Sequence, residues 1–212
     1  MNAIDPRATA TTRARYDRRA QLYERITRGS ERVMMPGRMA LWQRVHGPRV
    51  LEVGVGTGKS MPYYPSGMSL TAIDLSPRML DQARMHAARD HVVVDLREAD
   101  VQALPFPDAS FDTAIASCVF CSVPDAVLGL RELRRVLVPG GQLLLLEHVL
   151  SHRPILGPII GLLNPLVVRM MCANINRETV ANVRRAGFID LQVEDLWLDI
   201  VKWIEARTPA LA

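Results

Sequence analysis

A glycine-rich loop at residues 54–58 restricts the possible folds of this chain more than any other feature. The loop follows the apolar run 49–53 and precedes a predicted helix. Glycines there let the backbone turn tightly and approach a ligand closely at a helix N-terminus. A P-loop would need a glycine where Val53 stands, and the dinucleotide fingerprint would need one at Lys59. The remaining interpretation is a loop that holds a nucleoside without a pyrophosphate.

Two acidic residues near the loop fit such a ligand. Glu52 would repel phosphates, but it suits a ligand that carries an ammonium or a sulfonium group. Asp74 lies twenty residues after Gly54, at the end of the next predicted strand. An acid in that position binds the two hydroxyls of a ribose.

From residue 49 onward, short apolar runs alternate with helical segments. Ser76 and Pro77 mark one helix start as its N-cap and first residue, and the Pro-Gly-Gly turn at 139–141 stops another helix. Apolar strands between helices predict an α/β fold with a parallel sheet covered on both faces. The apolar runs are 49–54, 70–74, 92–94, 111–117 and 142–147, and the predicted helices are 77–89 and 125–137.

Two segments interrupt this alternation. Residues 8–45 are predicted to be helical, without a strand signal. Residues 154–172 are strongly apolar, but prolines, an asparagine and an arginine interrupt them, whereas a membrane-spanning helix needs about 20 unbroken apolar residues. This segment is therefore interfacial, a wall of a substrate pocket or buried core. Beyond it we predict a helix at 176–186 and strands at 188–197 and 199–207.

The composition and the cysteine content indicate the general class of this protein. The 212 residues, 49% hydrophobic and 23% charged, can bury one good core. Three cysteines do not make a paired disulfide framework and the first residues are polar, so we expect an intracellular globular protein. Cys118 and Cys121 form a Cys-x-x-Cys motif, but zinc needs two more ligands and Cys172 alone does not supply them. We therefore predict no metal site.

Positive charge is concentrated at the beginning of the chain. Residues 1–49 contain eleven arginines and four acids, a formal charge of +7. The whole chain carries +4, so the rest sums to −3. Such a basic segment suits an anionic partner such as a membrane surface, a nucleic acid or phosphates. A solvated helix face is the alternative.

Several blocks together resemble the class I S-adenosylmethionine-dependent methyltransferases. They are residues 52–58 with Asp74, residues 100–106, Phe111 with Asp112, and residues 131–147. The resemblance covers roughly residues 45–207. It implies a Rossmann-like, mostly parallel sheet with an antiparallel last strand, helices on both faces and an N-terminal helical lid. The implied division is a basic lid at 1–45 and an S-adenosylmethionine-binding domain at 46–212.

The resemblance also implies which residues bind the cofactor. The loop glycines would hold its methionine part, the end of the second strand its ribose, and the residues after the third strand its adenine. The residue that ends the fourth strand would lie near the methionine, and a lid tyrosine would cover it. The implied cofactor-binding residues are Tyr16, Glu52, Gly54, Gly56, Gly58, Asp74, Leu75, Asp100, Val101 and Ser117.

A closer resemblance is to the soluble bacterial phospholipid N-methyltransferases. It rests on Tyr16-Asp17, Tyr23-Glu24, Glu147-His148 and three further blocks, at 63–65, 120–125 and 164–168. These enzymes methylate phosphatidylethanolamine through mono- and dimethyl forms to phosphatidylcholine and release S-adenosylhomocysteine. Quinone-biosynthesis C-methyltransferases and small-molecule thiol methyltransferases share parts of the pattern and are the alternatives.

For this reaction we predict three acceptor-side residues. His148 would remove the amine proton, Glu147 would attract the ammonium, and Tyr23 would orient the amine with its ring. Tyr16 and Tyr23 are seven residues apart, so both should lie on one face of one helix.

The expected partners follow from the same reaction. They are a phospholipid substrate and an anionic membrane surface, bound reversibly by the basic segment. We expect no nucleic acid, because the aromatic share is only 5% and no base-flipping Asn/Asp-Pro-Pro-Tyr motif occurs. The predicted location is cytoplasmic, peripheral on the inner face of the cell membrane.

Overall fold

Seven strands form one sheet in the structure, a computed structural model that describes residues 4–154, 156–171 and 174–210. Their order across the sheet is β3-β2-β1-β4-β5-β7-β6. Only β7 runs antiparallel to its neighbours, which confirms the predicted Rossmann-like sheet with an antiparallel last strand. The strands are β1 (Arg49–Val53), β2 (Ser69–Asp74), β3 (Asp95–Glu98), β4 (Phe111–Ser117), β5 (Leu137–His148), β6 (Ile189–Trp197) and β7 (Val201–Arg207).

Helices cover both faces of the sheet. The N-cap side chain of Ser76 accepts the Met79 N–H at 3.1 Å, and Asp125 caps the following helix by accepting the Leu128 N–H at 2.9 Å. Both caps satisfy N–H groups that the first helical turn leaves free. The helices are α1 (Pro6–Arg19), α2 (Tyr23–Gln43), α3 (Pro77–Arg89), α4 (Ala126–Val136), α5 (Leu156–Met171) and α6 (Thr179–Arg185).

The central strands are buried on both faces because alternate residues point to opposite sides. Leu143 and Leu145 of β5 belong to the core under α4 and α6, whereas Leu144 and Leu146 belong to the core under α2. Trp42 of α2 is fully buried in that second core. The end of α2 is therefore part of the domain core. That the residues before it form a lid, divided from the domain at residue 45, stays a prediction.

Two predicted helices take another form. The glycine loop is followed by a 3-10 turn, Met61–Tyr63, because Pro62 lacks an N–H and Tyr64 is held extended before Pro65. The N-terminal helical segment breaks after Arg19 and resumes at Tyr23. This break lets α1 pack near α3 while α2 crosses to β5.

Smaller differences concern element ends. Residues 92–94 form no strand, and Val93 is 91% exposed; β3 begins one residue later and pairs with β2. The helix α4 ends at Val136 because Leu137 is already extended and pairs with Phe111. The helix predicted at 176–186 is shorter.

The apolar segment after β5 forms α5, and most of it is not buried core. Leu162 is 82% exposed, and Ile159, Leu163 and Leu166 are also exposed, whereas Ile160 is buried. Pro165 lies inside the helix and does not end it. Ile155 and Cys172 lie outside the described residues. The structure therefore does not test the prediction that Cys172 does not complete a zinc site. Across the described part of the chain, every helix is too short or too polar to cross a membrane.

Candidate active site

A cavity lies where the carboxyl ends of β1, β2 and β4 meet under the N-terminal helices. Its volume is about 90 Å³. Parallel strands bring their carboxyl ends to one edge, which explains why residues far apart in sequence meet here. The predicted site residues that line it are Tyr16, Tyr23, Gly54, Gly56, Asp74, Leu75, Asp100, Val101 and Ser117.

Asp74 is held rigidly at the end of β2. Its Oδ2 accepts the Gly56 N–H at 2.9 Å, and its Oδ1 accepts the Ser76 N–H at 2.8 Å. Burial raises the pKa of this carboxyl to about 6, although both backbone bonds oppose the shift. The carboxylate therefore couples the glycine loop to the wall of the cavity and offers its remaining acceptor capacity to a ligand.

The three loop glycines have different roles. Gly54 has a positive φ of 65°, and a Cβ there would lie 2.5 Å from Val119. Gly56 also has a positive φ, but the nearest atom to a Cβ there would be the Gly54 carbonyl oxygen, at an ordinary contact distance of 4.0 Å. A Cβ at Gly58 would instead collide with Met61, so Gly58 shapes the turn and does not line the cavity as predicted.

Asp100 connects the cavity to α1. Its Oδ2 accepts the Thr9 hydroxyl of α1 at 3.3 Å, and its Oδ1 accepts the Gln102 N–H at 2.9 Å. A second link joins α1 to the same edge, because the Ser76 hydroxyl donates to Asp17 at 2.6 Å. Sequence reasoning missed Thr9, since nothing in a single threonine on a basic helix indicates this contact.

Glu52 does not line the cavity. It is buried on the opposite face of β1, where it accepts the hydroxyls of Tyr64 and Ser60. Desolvation raises the pKa of this carboxyl. The predicted contact with a ligand ammonium is therefore corrected: Glu52 anchors the turn after the glycine loop.

A second chamber adjoins the cavity along the glycine loop. We call it the acceptor chamber, after the role predicted for Tyr23 and His148, which lie in its wall with Cys118. The residues that it shares with the cavity are Tyr16, Tyr23, Gly54, Gly56, Ser117 and Cys118. The His148 Nδ1 lies 3.5 Å from the Cys118 sulfur. Desolvation lowers the pKa of His148, so its imidazole is neutral at pH 7.

The two tyrosines lie close together, but not on one helix face as predicted. Tyr16 belongs to α1 and Tyr23 begins α2, and the break between the helices brings their ring centroids to 6.4 Å. The Lys59 ammonium lies 5.3 Å from the centroid of the Tyr23 ring. The Tyr23 ring therefore already faces one cation, as cation–π attraction allows.

Glu147 is fully buried and lines neither space. Its Oε1 accepts the N–H groups of Val119 at 2.8 Å and of Phe120 at 2.9 Å. Desolvation raises the pKa of Glu147 to about 7. The predicted attraction of the acceptor ammonium is therefore corrected, because this carboxyl holds the loop after β4 that walls the cavity.

Comparison with known proteins identifies the kind of domain that has this geometry. Residues 51–145 match a family model described as a methyltransferase domain. Residues 51–145 therefore form a methyltransferase domain, on the class I methyltransferase fold. S-adenosylmethionine is the methyl donor of this class, so the match confirms the predicted cofactor.

Curated relatives carry several names. A phosphatidylethanolamine N-methyltransferase of Cereibacter sphaeroides is 39% identical over 52% of this chain and 56% of its own length. A demethylmenaquinone methyltransferase of Renibacterium salmoninarum is 34% identical over 69% of this chain and 63% of its own. The chain spans about half the length of the first curated relatives that it matches.

Solved structures share the fold at low identity. A possible histamine N-methyltransferase of Thermotoga maritima has a TM-score of 0.72 at 21% identity, and the match covers 93% of this chain and 99% of that one. A Haemonchus contortus phosphoethanolamine N-methyltransferase, bound to phosphomonomethylethanolamine and S-adenosylhomocysteine, has a TM-score of 0.68 at 17% identity, over 84% of this chain and 56% of that one.

The side chains in the cavity wall match the chemical groups of S-adenosylmethionine. The Ser117 Oγ lines the cavity and is buried without a partner among the described residues. A buried hydroxyl without a partner is costly, so a ligand that bonds to it is favoured. The Asp74 carboxylate in the wall has oxygens that could accept from ribose hydroxyls, and Gly56 leaves room for a ligand to approach closely.

Replacing Glu147 by alanine is expected to lower the free energy of unfolding by about 1–3 kcal/mol, because two buried N–H groups lose their acceptor. S-adenosylhomocysteine affinity should fall as well, since the loop walls the cavity. Denaturant unfolding and calorimetry measure the two effects. An alanine variant with normal stability and affinity but no turnover would restore the original acceptor role.

The conservative variant Glu147→Gln serves as the control because it keeps an acceptor oxygen. The folded pKa of about 7 exceeds the ordinary value of 4.5, so folded wild-type protein binds the extra proton between these values. Its contribution to stability is therefore present at pH 4.5 and is lost as pH rises through 7. In unfolding experiments at pH 5 and pH 8, the glutamine variant should lack this dependence.

Proposed function

We propose that this methyltransferase transfers methyl groups from S-adenosylmethionine to the amine of phosphatidylethanolamine and of its mono- and dimethyl forms. The observation that carries the proposal is the acceptor chamber, where a neutral His148 imidazole and the Tyr23 ring adjoin the cofactor cavity. The 39% identical phosphatidylethanolamine N-methyltransferase supports the same acceptor.

The amine must lose a proton before it attacks. A primary ammonium resembles lysine, with a pKa of about 10, whereas a buried neutral imidazole is ready to accept a proton. The His148 Nδ1 faces Cys118, so Nε2 is the nitrogen left for the amine. When bound, S-adenosylmethionine supplies a methyl group on a positively charged sulfur.

The remaining residues act by position. Asp74 and Asp100 would hold the ribose and the adenine, and the glycine loop would hold the methionine part against the chamber. Such alignment accounts for much of the barrier reduction in a transfer between two bound partners. The face of Tyr23 would favour the cation that forms each time the neutral amine accepts a methyl group.

A quinone C-methyltransferase is the second candidate, since demethylmenaquinone methyltransferases are 40% and 34% identical to this chain over the matched regions. Labelled S-adenosylmethionine should be offered with either phosphatidylethanolamine vesicles or a demethylmenaquinone. We expect label in phosphatidylcholine and its mono- and dimethyl precursors. Label in the quinone alone would replace the proposed acceptor.

A two-chain lipid acceptor requires that the enzyme visit a membrane. Arg15, Arg18 and Arg19 of α1 border a cleft with Arg169 of α5, beside the exposed apolar face of that helix. The Arg19 guanidinium donates to the Arg169 carbonyl at 2.9 Å, which joins the two helices. Basic residues beside an apolar helix face suit an anionic lipid surface, so we propose reversible peripheral binding at the cytoplasmic face.

Vesicle binding should depend on these arginines. Each contributes about 1 kcal/mol near an anionic surface, so exchanging Arg15, Arg18 and Arg19 for glutamine should weaken binding by at least about tenfold. The control exchanges Arg131, Arg184 and Arg185, which are exposed on or beside α4 and α6. Sedimentation with increasing phosphatidylglycerol and salt measures the effect. Equal binding by both triple variants, or binding indifferent to salt, would contradict the proposal.

A further inference from the structure

A partly buried cluster of charged side chains lies in the wall of the acceptor chamber. Glu31 and Arg38 come from α2, and Lys59 follows the glycine loop. The Glu31 carboxylate accepts from the Lys59 ammonium at 3.0 Å and forms an ion pair with the Arg38 guanidinium at 3.2 Å. Two cations therefore share one carboxylate, and the cluster carries a formal charge of +1.

The two cations retain N–H donors without an acceptor, which indicates that they bind a ligand. Arg38 is 9% exposed, and its Nε–H is buried without an acceptor among the described residues. Lys59 donates to Thr27 at 2.5 Å and to Glu31, which leaves one of its three protons. The Thr57 hydroxyl, also in the chamber wall, is likewise buried without a partner in the described chain. Buried unpaired donors are costly and favour an acceptor-rich ligand.

The cluster is built to stay in place. The Arg38 guanidinium donates to the Ser60 hydroxyl at 3.3 Å, and Ser60 in turn bonds to the buried Glu52, which also accepts from Tyr64. This chain of bonds connects α2 to β1 and explains why Arg38 lies inside the domain. A fixed guanidinium recognises an anionic oxygen group at little entropic cost.

We propose that Arg38 and Lys59 form the subsite for the anionic group of the methyl acceptor, the phosphodiester in the case of a phospholipid. This inference rests on the proposed function for its acceptor class. In phosphatidylethanolamine a two-carbon spacer separates amine from phosphate, so an anion at this cluster would leave the amine within the same chamber, whose wall includes Tyr23 and His148. A demethylquinone carries no anionic group and leaves the cluster unpaired.

Calorimetry on the full-length protein saturated with S-adenosylhomocysteine tests the subsite directly. The probe is glycerophosphoethanolamine, with ethanolamine as the probe that lacks phosphate. We expect wild-type protein to bind the phosphate-bearing probe more tightly than ethanolamine. Arg38→Met and Lys59→Met should each weaken that binding by about tenfold or more. The matched control is Arg32→Met, an exposed arginine of α2 outside the chamber.

The outcomes of this experiment distinguish the phosphate of the acceptor from the carboxylate of the cofactor. Unchanged probe affinity in both variants overturns the subsite, and Lys59→Met decides if Arg38→Met does not fold. Weaker S-adenosylhomocysteine binding with unchanged 5′-methylthioadenosine binding would assign the cluster to the cofactor's carboxylate and overturn the proposal. Because binding needs no turnover, a protein that binds the probe but never methylates the lipid would refute the proposed function alone.

Discussion

Replacing His148 by alanine is expected to lower turnover by about 10²- to 10⁴-fold, the usual contribution of a positioned general base. S-adenosylhomocysteine affinity should be nearly unchanged, because His148 lines the acceptor chamber and not the cofactor cavity. Steady-state assays with phosphatidylethanolamine vesicles measure turnover, and calorimetry measures affinity.

The matched control for this variant is His152→Ala. His152 is exposed after β5 and lies outside both the cavity and the acceptor chamber. It should therefore retain wild-type turnover. A His148→Ala enzyme as active as the control would show that another group, or water, removes the amine proton.

Replacing Asp74 by alanine should weaken S-adenosylhomocysteine binding by about 5- to 150-fold, which corresponds to about 1–3 kcal/mol for unpaired ribose hydroxyls. The substitution also releases the Gly56 N–H, so the glycine loop loses an anchor. Asp95→Ala, an exposed acid on the neighbouring strand β3, is the control. Equal affinity in both variants would remove Asp74 from the site.

A pH titration checks the same residue independently. Only the ionised carboxylate accepts from two ribose hydroxyls at full capacity, and burial raises the pKa of Asp74 to about 6. Wild-type affinity for S-adenosylhomocysteine should therefore fall as pH decreases through 6, and the alanine variant should lack this step. Calorimetry between pH 5 and pH 8 measures the difference.

The order of elements and the cofactor end of the site were predictable from local signals. Glycines that permit positive φ, Ser76 before Pro77, and Asp74 at a strand end each act through backbone chemistry within a few residues. The resemblance to the methyltransferases predicted that Asp100 and Ser117 belong to the site, and they line the cavity because parallel strands place their carboxyl ends at one edge.

The direction of side chains at that edge was decided by tertiary structure. Glu52 and Glu147 belong to strands whose positions were predicted, yet the first bonds to Tyr64 and the second to the loop after β4. Sequence spacing does not show what will pack against a strand face, nor where α1 ends and α2 begins. The break between α1 and α2 brings the Tyr16 and Tyr23 rings close together, and it exists because the two helices pack on different elements. Local chemistry thus determined the cofactor loop and the order of strands and helices along the chain, whereas packing between distant elements determined the acceptor chamber.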